Sequence, residues 1–240
     1  MRRAAILQSA YIPWRGYFDL ISSVDEFIFY DDVQISKGDW RNRNIIRTNN
    51  GNKWLTIPIP KKNRIHMNIC DIHCSNDSWR KDHINKINDS YCKSPYYQDI
   101  IDVINPLYYM EETRLSSINE KFIRRICEYL GISTRISWSS EYEASAGKSQ
   151  RLADLCRAVD ADVYVSGPAA KDYLDIDLFR KAGIEVEWFS YESLKPYPQL
   201  HGSFEGMVSI VDLLFNVGPR SNMYIPSCEK LLGSGLISSV

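Results

Sequence analysis

The chain is predicted to be an α/β protein with a Rossmann-like, mainly parallel sheet and a helical insertion. Three observations predict it. The N-terminal stretch reads strand, loop, helix, strand. The last third again alternates short β-rich runs with amphipathic helical runs. Between them, residues 78–130 carry helical periodicity. Strand–helix–strand order favours parallel pairing through a crossover.

The elements follow in order. "AAILQ" reads as a short buried strand, and "SAYIPWRG" as a loop broken by Pro13 and Gly16. "YFDLISSVD" sets Phe18, Ile21 and Val24 near helical spacing, and "EFIFYDDVQI" is rich in β-formers. "NIIRT" and "KWLTIPI" flank "NNG", a hairpin turn signal because Asn and Gly tolerate positive φ. "NICDIHC" is expected as another short strand within a polar loop. "SWRKDHINKINDSYC" starts a helix with Ser78 as candidate N-cap. "YYQDIIDVINPLYY" follows, and "RLSSINEKFIRRICEYLGI" buries one face and ends at Gly131. Beyond it come the strand "STRISWSS", a helix capped by Ser149, the strand "DVYVSG", the helical run "PAAKDYLDIDLFRKAG", the strand "IEVEWFSY" and a final helix "FEGMVSIVDLLFNVG". One domain over 1–226 and a flexible tail over 227–240 are expected.

Composition narrows the class. The chain has 240 residues, 44% of them hydrophobic and 25% charged, with net charge −1. That balance is typical of a soluble globular protein and asks for no nucleic acid. No segment approaches the roughly 20 apolar residues of a membrane span. Six scattered cysteines and no leader segment point to a cytoplasmic protein with reduced thiols.

Several motifs bear on chemistry. In "VYVSGPAAKDYL" a buried strand ends at Ser166 and Gly167, with Pro168 opening the next helical turn. Ligands of open α/β sheets bind at such carboxyl ends, where Lys171 would add charge and Tyr173 a hydroxyl. An ordinary loop with a serine cap explains the same residues. "SAGKSQ" is no P-loop, since Tyr142 stands where the first glycine belongs. His66, Cys70, His73 and Cys74 are potential zinc ligands, but their spacing matches no finger and no metal is expected. Four histidines are present, and His83 and His201 are the candidate general bases, with Asp39 and Glu205 as alternatives. A packed or surface histidine is the plainer reading of each.

"DWRNRN", residues 39–44, is the most polar stretch. As an extended strand it would set Asp39, Arg41 and Arg43 on one face and Trp40, Asn42 and Asn44 on the other. Two adjacent arginines repel, and an anionic ligand would relieve them. A solvated edge or an internal ion-pair network accounts for the stretch equally.

"LQSAYIPWRGYFDLI", "FIFYDDVQ", "DWRNRN", "WLTIPI", "RLADLCRAVDADVYVSGPAAKDYL", "YPQLHGSFEG" and "SIVDLLFNVG" together resemble the WbqC-like family over about residues 4–225. That family is associated with bacterial surface-polysaccharide (O-antigen) gene clusters. The first βαβ unit also resembles the layout of HUP-type nucleotidylyltransferases and pantothenate synthetases. Their paired histidines are absent from this loop, which reads Tyr11, Pro13, Trp14, Gly16, Tyr17.

The resemblance implies a place in bacterial surface-polysaccharide and lipopolysaccharide biosynthesis. Within that pathway the residues are read as those of a transferase, acting by acyl or aminoacyl transfer to the amine of a nucleotide-linked amino sugar. Arg41 and Arg43 would hold the diphosphate, while Tyr11, Trp14 and Trp40 would stack on base or sugar. Gln8, Asn44 and Gln199, from the matched blocks, join the substrate-binding set with Ser166, Gly167, Lys171 and Tyr173. His83, His201 or Asp39 would take the amine proton. No cofactor is legible. A thioester donor on a carrier protein or coenzyme A is the partner this chemistry requires. The helical insertion is a candidate lid or homodimer contact. The alternatives are an ATP-dependent HUP-like nucleotidyl transferase or amide ligase, and a non-catalytic module that binds a glycan precursor.

Overall fold

The computed structural model describes residues 1–35, 40–61 and 66–233. Five strands form one parallel sheet: β1 (Arg3–Leu7), β2 (Glu26–Phe29), β5 (Arg135–Trp138), β6 (Val163–Ser166) and β7 (Glu185–Trp188). Their spatial order is β5-β2-β1-β6-β7. Chain progress runs outward from β1 through β2 to β5, then restarts on its other side at β6 and β7. The reversal leaves a crevice between the carboxyl ends of β1 and β6, where open α/β sheets take ligands. The hairpin β3 (Arg43–Thr48) and β4 (Gly51–Thr56) is antiparallel and separate from that sheet. Its turn is closed by Gly51 at φ 94°.

Strand alternation explains the layering. Ala5, Phe27, Phe29, Val163 and Val165 face one core, built with α1 (Arg15–Ser22), α4 (Leu115–Leu130), α7 (Ile210–Val217) and α8 (Pro226–Gly233). Ala4, Ile6, Ile28 and Tyr164 face the other, packed on α5 (Lys148–Ala158) and α6 (Ile176–Lys181). Sheets covered by helices on both faces carry short, almost wholly apolar strands, as β2 and β6 do. Helices α2 (Ser78–Tyr91) and α3 (Tyr97–Tyr108) complete the helical segment between β4 and β5. Trp79, Ile87, Ile100 and Ile104 from these helices join the same core as the sheet.

Several local expectations change. "NICDIHC" forms no strand: residues 69–71 make a 3-10 turn, with single bridges at Asn68–Gln34 and His73–Arg114. Asp77 rather than Ser78 precedes α2, and Gly147 at φ 109° rather than Ser149 precedes α5. The Ser149 hydroxyl instead accepts from Asp175 N at 3.0 Å. Residues 227–233, the start of the expected loose tail, lie in α8 (Pro226–Gly233). Cys228 there is buried and Ser227 N donates to Asp19 Oδ1 (2.8 Å) on α1. Gly131 ends α4 in the left-handed region (φ 70°) as its position implies. Among the described residues no helix is long and apolar enough to cross a membrane.

Candidate functional site

A buried polar cluster stands at the carboxyl ends of the two central strands. Ser9 lies two residues past β1, and Asp31 two residues past β2, whose ends pair as Leu7 with Phe29. Ser9 donates to Asp31 twice, from N (2.8 Å) and from Oγ (2.6 Å). Asn119 of α4 donates to Ser9 Oγ (3.0 Å) and to the Arg41 carbonyl (2.9 Å). Arg41 Nη1 donates to the carbonyls of Gln8 (2.8 Å) and Ser9 (3.2 Å). Burial pushes the Asp31 carboxyl up to about 6, against the lowering effect of the Ser9 bonds and the nearby Arg41 charge.

Above this cluster opens a cavity of about 180 Å³, lined by Leu7, Ala10, Pro13, Trp14, Tyr17, Trp40, Arg41, Asn44 and Met207. Its volume is below the roughly 300 Å³ that begins the usual ligand range, so it suits one ring rather than a whole nucleotide. The rim is made by a loop under backbone strain. Ile12 sits at φ 36°, a conformation costly for a β-branched residue. Several bonds hold it there. Asn44 Nδ2 donates to Tyr11 O (3.1 Å) and Ile12 O (2.9 Å), and Ser209 Oγ donates to Ile12 O (2.6 Å). Both tryptophans of the cavity are backed by a second ring. Trp14 packs on Tyr191 with centroids 4.9 Å apart, and Trp40 on Trp54 at 5.2 Å. The Trp14 indole lies over Gly16, where any Cβ would collide with it.

A 3-10 turn at Trp40–Asn42 overturns the alternation expected of "DWRNRN". Trp40, Arg41 and Asn44 thereby reach one cavity. Arg43 lies instead over the Trp54 ring at 4.5 Å, and Asn42 Nδ2 donates to Ile57 O (2.7 Å). Asp39 lies outside the described residues. The Gln8 carbonyl accepts from Arg41 and from the Tyr17 hydroxyl (3.0 Å).

The two histidines stand apart from this cavity. His83 is buried with Tyr11, Trp79, Tyr108 and Phe122 in an aromatic cluster. The Tyr11 hydroxyl is hydrogen-bonded to His83 Nδ1 (3.0 Å) and to the Tyr108 hydroxyl (2.7 Å). Tyr11 is thus fully enclosed and offers no face for stacking. Burial pushes His83 down to about 4. Its folded-state value lies below the ordinary 6.5, so its contribution is present above pH 6.5 and lost as pH falls toward 4. Urea unfolding across that window is expected to show wild type losing more stability than His83→Phe; parallel curves for the two would contradict it.

His201 Nε2 is hydrogen-bonded to Ser90 O (2.7 Å) in the segment that leads to α7. Asp212 anchors that segment, accepting from Tyr91 (2.8 Å), Tyr197 (2.9 Å) and Gln199 Nε2 (2.7 Å). The Gln199 side-chain amide also donates to Glu205 O (3.0 Å) and accepts from Glu205 N (2.8 Å), so it braces the loop. Arg15 packs beneath the rings of Tyr197 (5.1 Å) and Phe204 (5.6 Å) and donates to Lys195 O (2.5 Å). The braced segment carries Met207 to the cavity rim.

Ser166, Gly167, Lys171 and Tyr173 lie on the other side of the crevice. Ser166 is buried and Tyr173 exposed. A second cavity, of about 490 Å³, is lined by Pro168, Lys171, Trp188, Phe189, Ser190, Tyr191 and Glu192. Lys171 Nζ stands 5.7 Å from the Trp188 ring centre. A larger cavity, about 1080 Å³, is a groove between α2 and α3, away from the carboxyl edge of the sheet. Among the described residues no three His, Cys, Asp or Glu side chains converge as metal ligands. His73 Nδ1 is hydrogen-bonded to Thr113 Oγ1 (2.8 Å).

Sequence patterns missed Ser9, Asp31 and Asn119, and also Tyr191, Glu192 and Met207. A signal existed for the first two: each stands two positions past a central strand, where side chains meet the ligand edge.

The model of the WbqC-like protein family matches residues 8–224. The chain belongs to the WbqC-like family. The match takes in the strained loop, the 3-10 turn, the crevice and the braced segment up to Tyr224. Across 231 residues the chain is 46% identical to the uncharacterized protein Rv1507c of Mycobacterium tuberculosis, covering 96% of this chain and all of the mycobacterial one. No solved structure matches.

Proposed function

We propose that this WbqC-like protein is a transferase of bacterial surface-polysaccharide (O-antigen) biosynthesis. It adds an acyl or aminoacyl group to the amine of a nucleotide-linked amino sugar. The observation that carries this reading is the aromatic-walled cavity beside the crevice between β1 and β6, with Arg41 in its wall. Ring faces suit a base or sugar. The reaction joins the sugar nitrogen to the carbonyl carbon of a thioester. The carbon–sulfur bond breaks and the thiolate leaves, taking up the proton that the amine loses. The thioester is carried by coenzyme A or a carrier protein.

A second reading has its own support. The Arg41 and Asn44 side chains of the cavity donate to backbone carbonyls of the β1 loop, which makes a rigid, preformed receptor. A receptor of that kind also suits a module that binds a glycan precursor without transforming it.

Incubation with a panel of nucleotide-linked amino sugars and thioester donors, read by mass spectrometry, decides between them. The transferase reading expects a mass gain equal to one acyl or aminoacyl group on one sugar. Saturable binding without any mass gain would leave the binding module. Neither binding nor gain would end both.

A further inference from the structure

The two cavities at the carboxyl edge share a wall. Trp14 lines the cavity over β1, Tyr191 lines the cavity beside β6 and β7, and their rings pack at 4.9 Å and 52°. A Cβ placed on Gly167, the residue after β6, would stand 3.9 Å from the Tyr191 hydroxyl. The ring pair is therefore a ridge over the switch point, with one compartment on each side.

The compartments differ in chemistry. The first is small and mostly walled by rings and apolar side chains. Trp14 and Trp40 are each held from behind, Trp40 through Trp54, which carries the Arg43 guanidinium at 4.5 Å. Its Arg41 and Asn44 bonds run to backbone carbonyls, so it recognises a guest chiefly through ring faces. Every nucleobase offers such a face. The second compartment is larger and open, and Lys171, Ser190 and Glu192 are among its lining residues. Charged and hydroxyl groups of this kind suit a sugar bearing hydroxyls and an amine.

Resting on the reading of the site as a receptor for a nucleotide-linked amino sugar, we infer that the substrate straddles this ridge. The nucleobase enters the compartment between Trp14 and Trp40. The diphosphate crosses the Trp14–Tyr191 pair, and the amino sugar lies beside β6 and β7 with its amine toward Glu192. Glu192 thereby becomes the specificity-determining residue for a free amine.

Calorimetry on the full chain tests this with uridine diphosphate, uridine diphosphate-glucosamine and its N-acetylated counterpart. Trp40→Ala is expected to weaken all three by about tenfold or more, with Trp40→Phe restoring part of the loss. Glu192→Gln is expected to leave uridine diphosphate within about twofold and to abolish the preference for the free amine over the acetylated sugar. Equal retention of that preference in Glu192→Gln, or loss of uridine diphosphate binding in Glu192→Gln with none in Trp40→Ala, would overturn the orientation while leaving the proposed function standing. No binding of any of the three to the wild-type protein would overturn both.

Discussion

Asp31→Ala is expected to lower the unfolding free energy by about 3 kcal/mol, and to do so more at pH 4 than at pH 7. The carboxylate accepts two bonds from Ser9, and its removal leaves the Ser9 N–H and hydroxyl buried without that acceptor. It also removes the negative charge that faces Arg41. The pH dependence follows from burial. The folded-state value lies near 6, above the ordinary 3.8. Protonated Asp31 is therefore favoured in the native state. Its stabilising contribution is complete below about pH 3.8 and fades as pH rises through 6. Urea unfolding of both proteins at the two pH values checks this, since shared titrations cancel in the difference. A penalty that grows from pH 4 to pH 7 would contradict the stated environment. Nucleotide-sugar binding is expected to fall with stability, because Ser9 and Arg41 hold the cavity floor together.

Asp212→Ala is expected to cost about 3 kcal/mol and to loosen the segment from 195 to 209. Asp212 is buried and accepts from two tyrosines and a glutamine that come from two places in the chain, α2 and the segment before α7. Each donor left unpaired costs about 1–3 kcal/mol, while relaxation and water recover part of the sum. Burial raises the Asp212 carboxyl above its ordinary value, and the three donors oppose that rise. Tyr91→Phe and Tyr197→Phe are expected to cost about 1 kcal/mol each, since each removes one donor and leaves the carboxylate its others. Limited proteolysis should nick Asp212→Ala within 195–209 well before the single tyrosine variants. Simultaneous cleavage elsewhere would instead indicate global unfolding.

Much of the fold was legible because its strands are short, apolar and separated by helical periodicity. The first βαβ unit, the hairpin at "NNG" and the three later strands all stand where those patterns put them. "NICDIHC" misled because its alternation resembles a strand, whereas a bond from Ile72 N to Ile69 O closes a turn there. The site was legible only in part. Trp14, Trp40, Arg41 and Asn44 are unusual residue types next to a predicted loop, and they share one cavity. His83 drew attention by its chemistry alone, yet its Trp79 neighbour at i, i+4 marked a helix face that goes into the core. Ser9, Asp31 and Asn119 are common residues. They become a network only when β1, β2 and α4 meet, and nothing local announces 110 residues of separation between Ser9 and Asn119.

The strand order carries a consequence for how the protein is made. β1 is synthesised first, yet it is the middle strand, and its second neighbour is β6. More than half of the chain leaves the ribosome before Val163 arrives to pair with Arg3. Until then one flank of β1 has unfilled backbone donors and acceptors beside the apolar run "AAIL", a template for pairing with a neighbouring chain. Long-range parallel pairing of this kind folds slowly. Expression at lower temperature or with chaperones, which lengthens the safe waiting time of that flank, should therefore raise the recovered yield of folded protein more than any change at the surface.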